Sequence, residues 1–184
     1  ADVIAAAKAN PRVWNIAISS LGSAGHLATI DFNRRTGAEV NMVPYRGTQP
    51  ALTDMIAGNV ELLIDPSFAL LPAAADGRVR ALGIATSQRS SLAPNVPTMA
   101  EAGLPGYEFQ SWYGVWAPKG TSSEIVQRIN ALMQETMRDP AIVERLKQQV
   151  LEPVTETTEQ SKRFIAGEIV RAGELLRSVN YQPE

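Results

Sequence analysis

A chain of 184 residues, 45% hydrophobic and 20% charged, has the composition of a globular protein with one sizeable core or one domain plus an appendage. Its net charge of −2 lacks the basic footprint of a nucleic-acid binder, and the lack of cysteine excludes disulfides and thiolate metal sites. Apolar runs such as Phe68–Ala75 are too short to span a bilayer.

The sequence opens on Ala1, not on an initiator Met, and within it no basic-then-apolar stretch reads as a leader. It opens at once on helix formers, Ala1–Ala9, so the expectation is a processed or trimmed polypeptide. Asn10-Pro11-Arg12 stops that helix, and Val13–Ile18 is a short β-prone run. A Ser/Gly loop comes next, then an amphipathic helix from about Ala24 to Arg35 that Thr36-Gly37 ends. Glu39–Val43 reads as a strand with Pro44–Gln49 as its exit loop. Pro50 suits the first turn of a helix running to Ala57 and stopping at Gly58-Asn59. Val60–Ile64 is a third strand with Asp65-Pro66-Ser67 as its exit. A helix over Phe68–Ala75 ends at Asp76-Gly77, and Val79–Ala85 reads as a fourth strand.

Strands alternating with helices of this length predict an α/β fold: an open, mostly parallel sheet with helices on both faces. Ligands in such sheets bind beyond the carboxyl ends of the strands. The loops to inspect are therefore Ser19–Gly25, Tyr45–Gln49, Asp65–Ser67 and Thr86–Arg89. After Arg89 the alternation breaks. Ser90–Pro97 is loop-like, Thr98–Ala102 a brief helix, and Tyr107–Ala117 a long aromatic strand. Pro118–Gly120 reads as a hinge. A C-terminal helical segment succeeds it, with helices at Ser122–Met137, Pro140–Gln149 and Thr158–Val179 and a short strand at Leu151–Val154. The expected division is an α/β ligand-binding lobe over 1–110 and a crossing strand with C-terminal helices over 111–184.

The chemistry concentrates in Ile16–Ala28, where an apolar run meets a Ser/Gly loop and a helix starts. A helix start leaves backbone N–H groups without partners and carries partial positive charge. Ser19, Ser20, Ser23 and the N–H groups of Gly22, Ser23, Ala24 and Gly25 can hold a carboxylate or phosphate. A plain strand-to-helix turn with Ser23 as helix cap accounts for the same residues. Leu21–Gly25 partly matches a nucleophile elbow, but Leu21 takes the place of its first glycine. His26, the only histidine, lies on the same turn, whereas that class of hydrolase places its histidine far downstream. A serine-type hydrolase using Ser23 and His26 is thus the rival reading. His26 alone makes no metal site, and no metal or cofactor is expected. It reads as a hydrogen-bond donor to a ligand or the loop, or as a core histidine. Asp65 can cap the next helix, orient the loop 19–26, or accept from a ligand hydroxyl or amine. Tyr45 can pack over a ligand, and Arg46 can pair with a carboxylate or stay solvated. The aromatics Tyr107, Phe109, Trp112, Tyr113 and Trp116 read as core or interface. No dinucleotide or Walker-type glycine motif is present.

Taken in order, eight pieces carry a resemblance: Ala5–Pro11, Gly22–Ala28, Val43–Gly47, Pro50–Gly58, Arg80–Ser87, Val96–Gly106, Ser111–Gly114 and Ala117–Gly120. The set resembles the solute-binding proteins of tripartite tricarboxylate transporters, the TctC or Bug family. The resemblance implies a periplasmic binding protein with two α/β lobes of the type II kind, closing on a small organic acid. It implies that 1–110 corresponds to the second lobe, that part of the first lobe is absent, and that 111–184 would return to it. Carried over residue by residue, the ligand loops fall on Ser19, Ser20, Gly22, Ser23, Ala24, Gly25 and His26, on Tyr45 and Gly47, and on Asp65. The chain departs from the family pattern at Leu21, Ala24 and Gly25, and Asp65-Pro66 replaces a frequent Asp-Asn. Those departures remove side-chain donors, so ligand identity does not carry over. The implied function is capture of a carboxylate, a dicarboxylate or an acidic amino acid, for membrane transporter subunits, with a sensor for a signalling partner as a further alternative. The aromatic stretch Tyr107–Trp116 is expected to support self-association.

Overall fold

A computed structural model describes residues 2–181, the side chain of Arg12 apart. The elements obey the local chemistry of the chain closely up to Ala75. Helix α1 spans Asp2–Ala9, and a 3-10 turn at Pro11–Val13 leads into strand β1, Asn15–Ile18. Helix α2 covers Ala24–Thr36, β2 Asn41–Pro44, α3 Thr48–Ala57, β3 Leu62–Leu63 and α4 Ser67–Ala75. Local signals set the ends. Ser23 caps α2 by accepting the His26 N–H, and Gly37 closes it in the left-handed conformation, φ 63°. Gly58 closes α3 in the same way, φ 80°.

The three strands form a parallel sheet in the order β2-β1-β3. Asn15–Ile18 run level with Asn41–Pro44, and Ile16 and Ala17 pair with Leu62 and Leu63. Alternation along β1 sends neighbouring side chains to opposite faces. Ile16 packs with Ala7 of α1, Val40 and Leu62, whereas Ala17 packs with Ala51 of α3 and Val60. Helices thus cover both faces, and the fold is α/β as expected. Because all three strands point the same way, their exit loops share one edge, and β1, the central strand, is where the connections diverge.

The later strand expectations fail, each for want of a ladder. Val79–Ala85 forms no strand: Ile84 makes one isolated parallel bridge with Thr98, donating to Pro97 O and accepting from Met99. Gly83 lies flat against Met99, where a Cβ would come within 2.8 Å of its sulfur. Thr98–Ala102 is a turn, not a helix, and Leu151–Val154 is irregular. The stretch Tyr107–Ala117 joins no β-ladder among the described residues. Its first residue is fully core: Tyr107 is buried beside Phe32 and donates its hydroxyl to Ala28 O at 2.8 Å, and Phe109 packs partly buried against the same cluster.

The three last helices stand where the sequence placed them: α5 at Ser123–Thr136, α6 at Pro140–Gln148 and α7 at Thr158–Ser178. Ser122 and Asp139 cap the first two. Two compact units result. One holds the chain up to Ser111 together with the chain from Leu175 onward, and the other spans Trp112–Glu174.

Candidate functional site

The sheet's carboxyl edge gathers most of the expected site residues. Ser19, the first residue past β1, is buried, and it ties three loops together. Its carbonyl accepts the Gly47 N–H at 2.6 Å, and its hydroxyl donates to Asp65 Oδ1 at 3.0 Å. Its Oγ also lies 3.5 Å from that of Ser23. Thr48, one residue into α3, donates its hydroxyl to the other carboxylate oxygen of Asp65. Asp65 therefore staples the loop after β1 to the start of α3. Gly25 is required beneath it: a Cβ there would meet Ile64 O at 2.5 Å and Asp65 Oδ1 at 2.7 Å.

The loop itself is internally bonded. Gly22 turns with φ 77° and donates its N–H to His26 Nδ1 at 2.9 Å. Ser23 N–H goes to Ser20 O at 3.2 Å, and the Ser23 hydroxyl accepts the His26 N–H at 3.2 Å. This corrects part of the expectation. The Gly22 and Ser23 amides are used within the protein, and His26 acts as an acceptor toward the loop. An accepting Nδ1 places the ring proton of the neutral imidazole on Nε2. His26 is buried, and burial lowers its pKa below the ordinary histidine value. Among the described residues, the amides of Ala24 and Gly25, in the first turn of α2, meet no acceptor. The Ser20 hydroxyl is exposed and makes only a long 3.4 Å bond to Leu21 O.

Asp65 carries the least settled charge at this edge. Burial raises its pKa above the usual carboxylate value, and the Thr48 and Ser19 hydroxyls pull it back only in part. Tyr45 stands apart from this cluster in its bonding. Its N–H goes to Ile18 O at 2.8 Å, but its hydroxyl donates to Asp54 Oδ2 at 2.7 Å, which raises the phenol pKa. The hydroxyl is therefore engaged within the protein. The rival hydrolase arrangement lacks its bond: Ser23 meets the backbone amide of His26, while the His26 ring nitrogen Nδ1 faces Gly22.

Three partners escaped the sequence reading: Thr48, Asp54 and Tyr181. Tyr181 sets its ring edge-on to the His26 imidazole, with centroids 5.4 Å apart and planes at 76°. Thr48 comes directly after the Tyr-Arg-Gly turn, which is a usable signal. Nothing local links Tyr181 to position 26.

A family model described as the tripartite tricarboxylate transporter family receptor, TctC, matches residues 1–181. BugT of Bordetella pertussis is 41% identical over 175 residues, which are 95% of this chain and 54% of that protein. Among solved structures, R. palustris Rpa4515 with adipate superposes with a TM-score of 0.90 at 36% identity, covering 100% of this chain and 61% of the other. The periplasmic binding protein BugD superposes with a TM-score of 0.86 at 28% identity, covering 100% and 62% respectively. The chain thus spans 54% of the length of this curated relative.

Proposed function

The chain belongs to the tripartite tricarboxylate transporter receptor family, and on that premise we propose that it helps capture a small organic carboxylate in the periplasm for a membrane transporter. The observation that carries this reading at the site is the pair of unpartnered amides, Ala24 and Gly25, at the start of α2. A carboxylate there meets two backbone donors and the positive end of the helix, the dipole adding about 0.3–1 kcal/mol. The Ser23 hydroxyl accepts from His26 N–H, and its proton, shared at 3.5 Å with Ser19 Oγ, can turn from there toward the ligand. Ser20 can do the same from the rim. Ser19, Gly47 and Asp65 shape the floor, Gly22 and His26 hold the loop's curve, and Tyr45 walls the neighbouring loop.

The action is capture without turnover. Adipate, bound in the R. palustris relative, sets the ligand class to try first: short dicarboxylates, hydroxy-dicarboxylates and acidic amino acids. The test is calorimetric titration with succinate, malate, glutarate, adipate, aspartate and glutamate. Saturable binding of at least one is expected, and binding of none would count against the reading. Ala24→Pro sharpens it. Proline suits the first helical position and deletes only the N–H, and Ser23, at φ −69° and ψ 166°, already has the extended backbone that precedes proline. Affinity should fall by about tenfold or more, the worth of a hydrogen bond to a charge. Unchanged affinity would place the ligand elsewhere. Val115 and Trp116 are exposed at 71% and 63%, and we expect them to drive self-association. Size-exclusion chromatography at two concentrations tests that, and a strictly monomeric profile would end it.

A further inference from the structure

The residues just past α7 reach the cradle through a ring contact that the capture reading does not use. Helix α7 ends at Ser178, and the chain leaves it through a left-handed residue, Asn180, φ 53°. Asn180 N–H donates to Arg177 O at 3.1 Å and Tyr181 N–H to Leu176 O at 3.0 Å. Those two bonds are the paired closure of a Schellman turn, and asparagine is a residue that tolerates the left-handed position. Leu175, 5% exposed, anchors the turn in the same compact unit as the cradle. The turn delivers Tyr181 edge-on to His26 at 5.4 Å, within the favourable range for aromatic pairs.

His26 in turn holds Gly22 by its Nδ1. Gly22 needs that hold. Its φ of 77° is a conformation for which space is no constraint, since a Cβ there would meet nothing within 4 Å. The turn's shape therefore comes from backbone freedom, from the Ser23 N–H bond to Ser20 O and from the imidazole acceptor. An imidazole free to rotate would release the Gly22 amide and loosen the loop carrying Ser20 and Ser23.

We propose that Tyr181 is a positioning residue of the carboxylate cradle, fixing the His26 imidazole so that the Gly22 amide stays bonded within the loop and the Ala24 and Gly25 amides are the ones presented. The proposal rests on the capture reading for its consequence, not for its geometry. Tyr181 acts through His26, and His26 acts through Gly22.

The test reads amide hydrogen exchange by NMR on the ligand-free chain, beside calorimetry with whichever dicarboxylate of the panel binds. In Tyr181→Ala, Gly22 exchange should quicken by about two- to tenfold, the equilibrium weight of an edge-to-face pair, and affinity should fall by a similar factor. Ile16 and Ala17, in the central strand, should keep their exchange rates. Tyr181→Phe, which retains the ring edge, should match the unmodified chain in both readouts. Unchanged Gly22 exchange in Tyr181→Ala would overturn the proposal. Equal quickening at Ile16 and Ala17 would overturn it too, showing general loosening, as would an affinity that stays put while Gly22 loosens. A chain that binds no carboxylate defeats the capture reading and leaves the exchange result standing on its own.

Discussion

Asp31 and Asp65 both lean on α2, one within its second half and the other against its first turn. Asp31 is buried, 2% exposed, and takes Arg34 Nη2 at 2.6 Å and Arg35 Nε at 2.8 Å. Burial alone would raise its pKa, but the two guanidiniums reverse that and hold it below the ordinary value. Asp65 is partly buried and takes only two hydroxyls, and burial wins. A guanidinium brings a compensating charge, whereas a hydroxyl brings a dipole. The charge that only builds the helix is neutralised in place. The Asp65 charge, at the strand ends, has no counter-charge beside it, which fits the binding edge proposed above.

Removing the neutralised charge should therefore do the most damage to the fold. Asp31→Asn leaves Arg34 and Arg35 facing a neutral amide at the end of α2. The expected loss is about 2 kcal/mol, below the range for fully buried pairs because both guanidiniums reach solvent. Urea unfolding measures it. A loss under about 0.5 kcal/mol would mean that Asp31 is held by water as much as by arginine, and the contrast with Asp65 would weaken.

Asp65→Asn should act in the opposite direction. Asparagine can still bond Ser19 and Thr48 but carries no charge. At about 6 Å and an intermediate dielectric, a carboxylate repels an incoming one by enough to weaken binding roughly tenfold, so affinity for a dicarboxylate should rise by about that factor. The raised pKa fixes the sign for stability. A raised carboxyl contributes stability that is present at acid pH and lost as pH rises through the folded value. Asp65→Asn should thus be the more stable at neutral pH, with the gain shrinking in acid, as thermal unfolding at the two pH values would record. A tenfold fall in affinity would instead show the carboxylate accepting from a ligand hydroxyl or amine.

The region around Asp65 was legible in the sequence to the extent that its chemistry is local. Ser23 caps the helix that starts at Ala24 by a bond only three residues long, so α2 was placed to within a residue at either end. The first three strands are legible because each is a short β-prone stretch between turn residues. Val79–Ala85 has the same look but bonds to Pro97 and Met99 singly, and no pattern within a run reveals whether a partner strand exists. His26 was expected to donate. Its position four residues after Gly22, across the capping turn, instead makes its ring an acceptor for that amide. Thr48 and Tyr181 reach the site from 17 and 155 residues away from Asp65 and His26, a separation that composition and periodicity do not register.

His26 gives the smallest effect and the sharpest contrast in sign. Its pKa is lowered by burial, so the folded chain favours the neutral ring. A lowered histidine contributes stability that is present above its unfolded value, near 6.5, and lost as pH falls through the folded value. Protonation turns Nδ1 from acceptor to donor, facing the Gly22 donor at 2.9 Å, and removes a bond worth about 1 kcal/mol. Acid therefore relieves Asp65 while it unsettles His26. His26→Asn separates the two, because its Oδ1 sits at the same branch point as Nδ1, can accept the Gly22 N–H, and does not titrate. The difference in unfolding free energy between the two chains should grow in the variant's favour below about pH 6.5, while the Asp65 response stays common to both. Parallel curves would mean that the acid response of the loop belongs to Asp65 and that the imidazole is a passive filler.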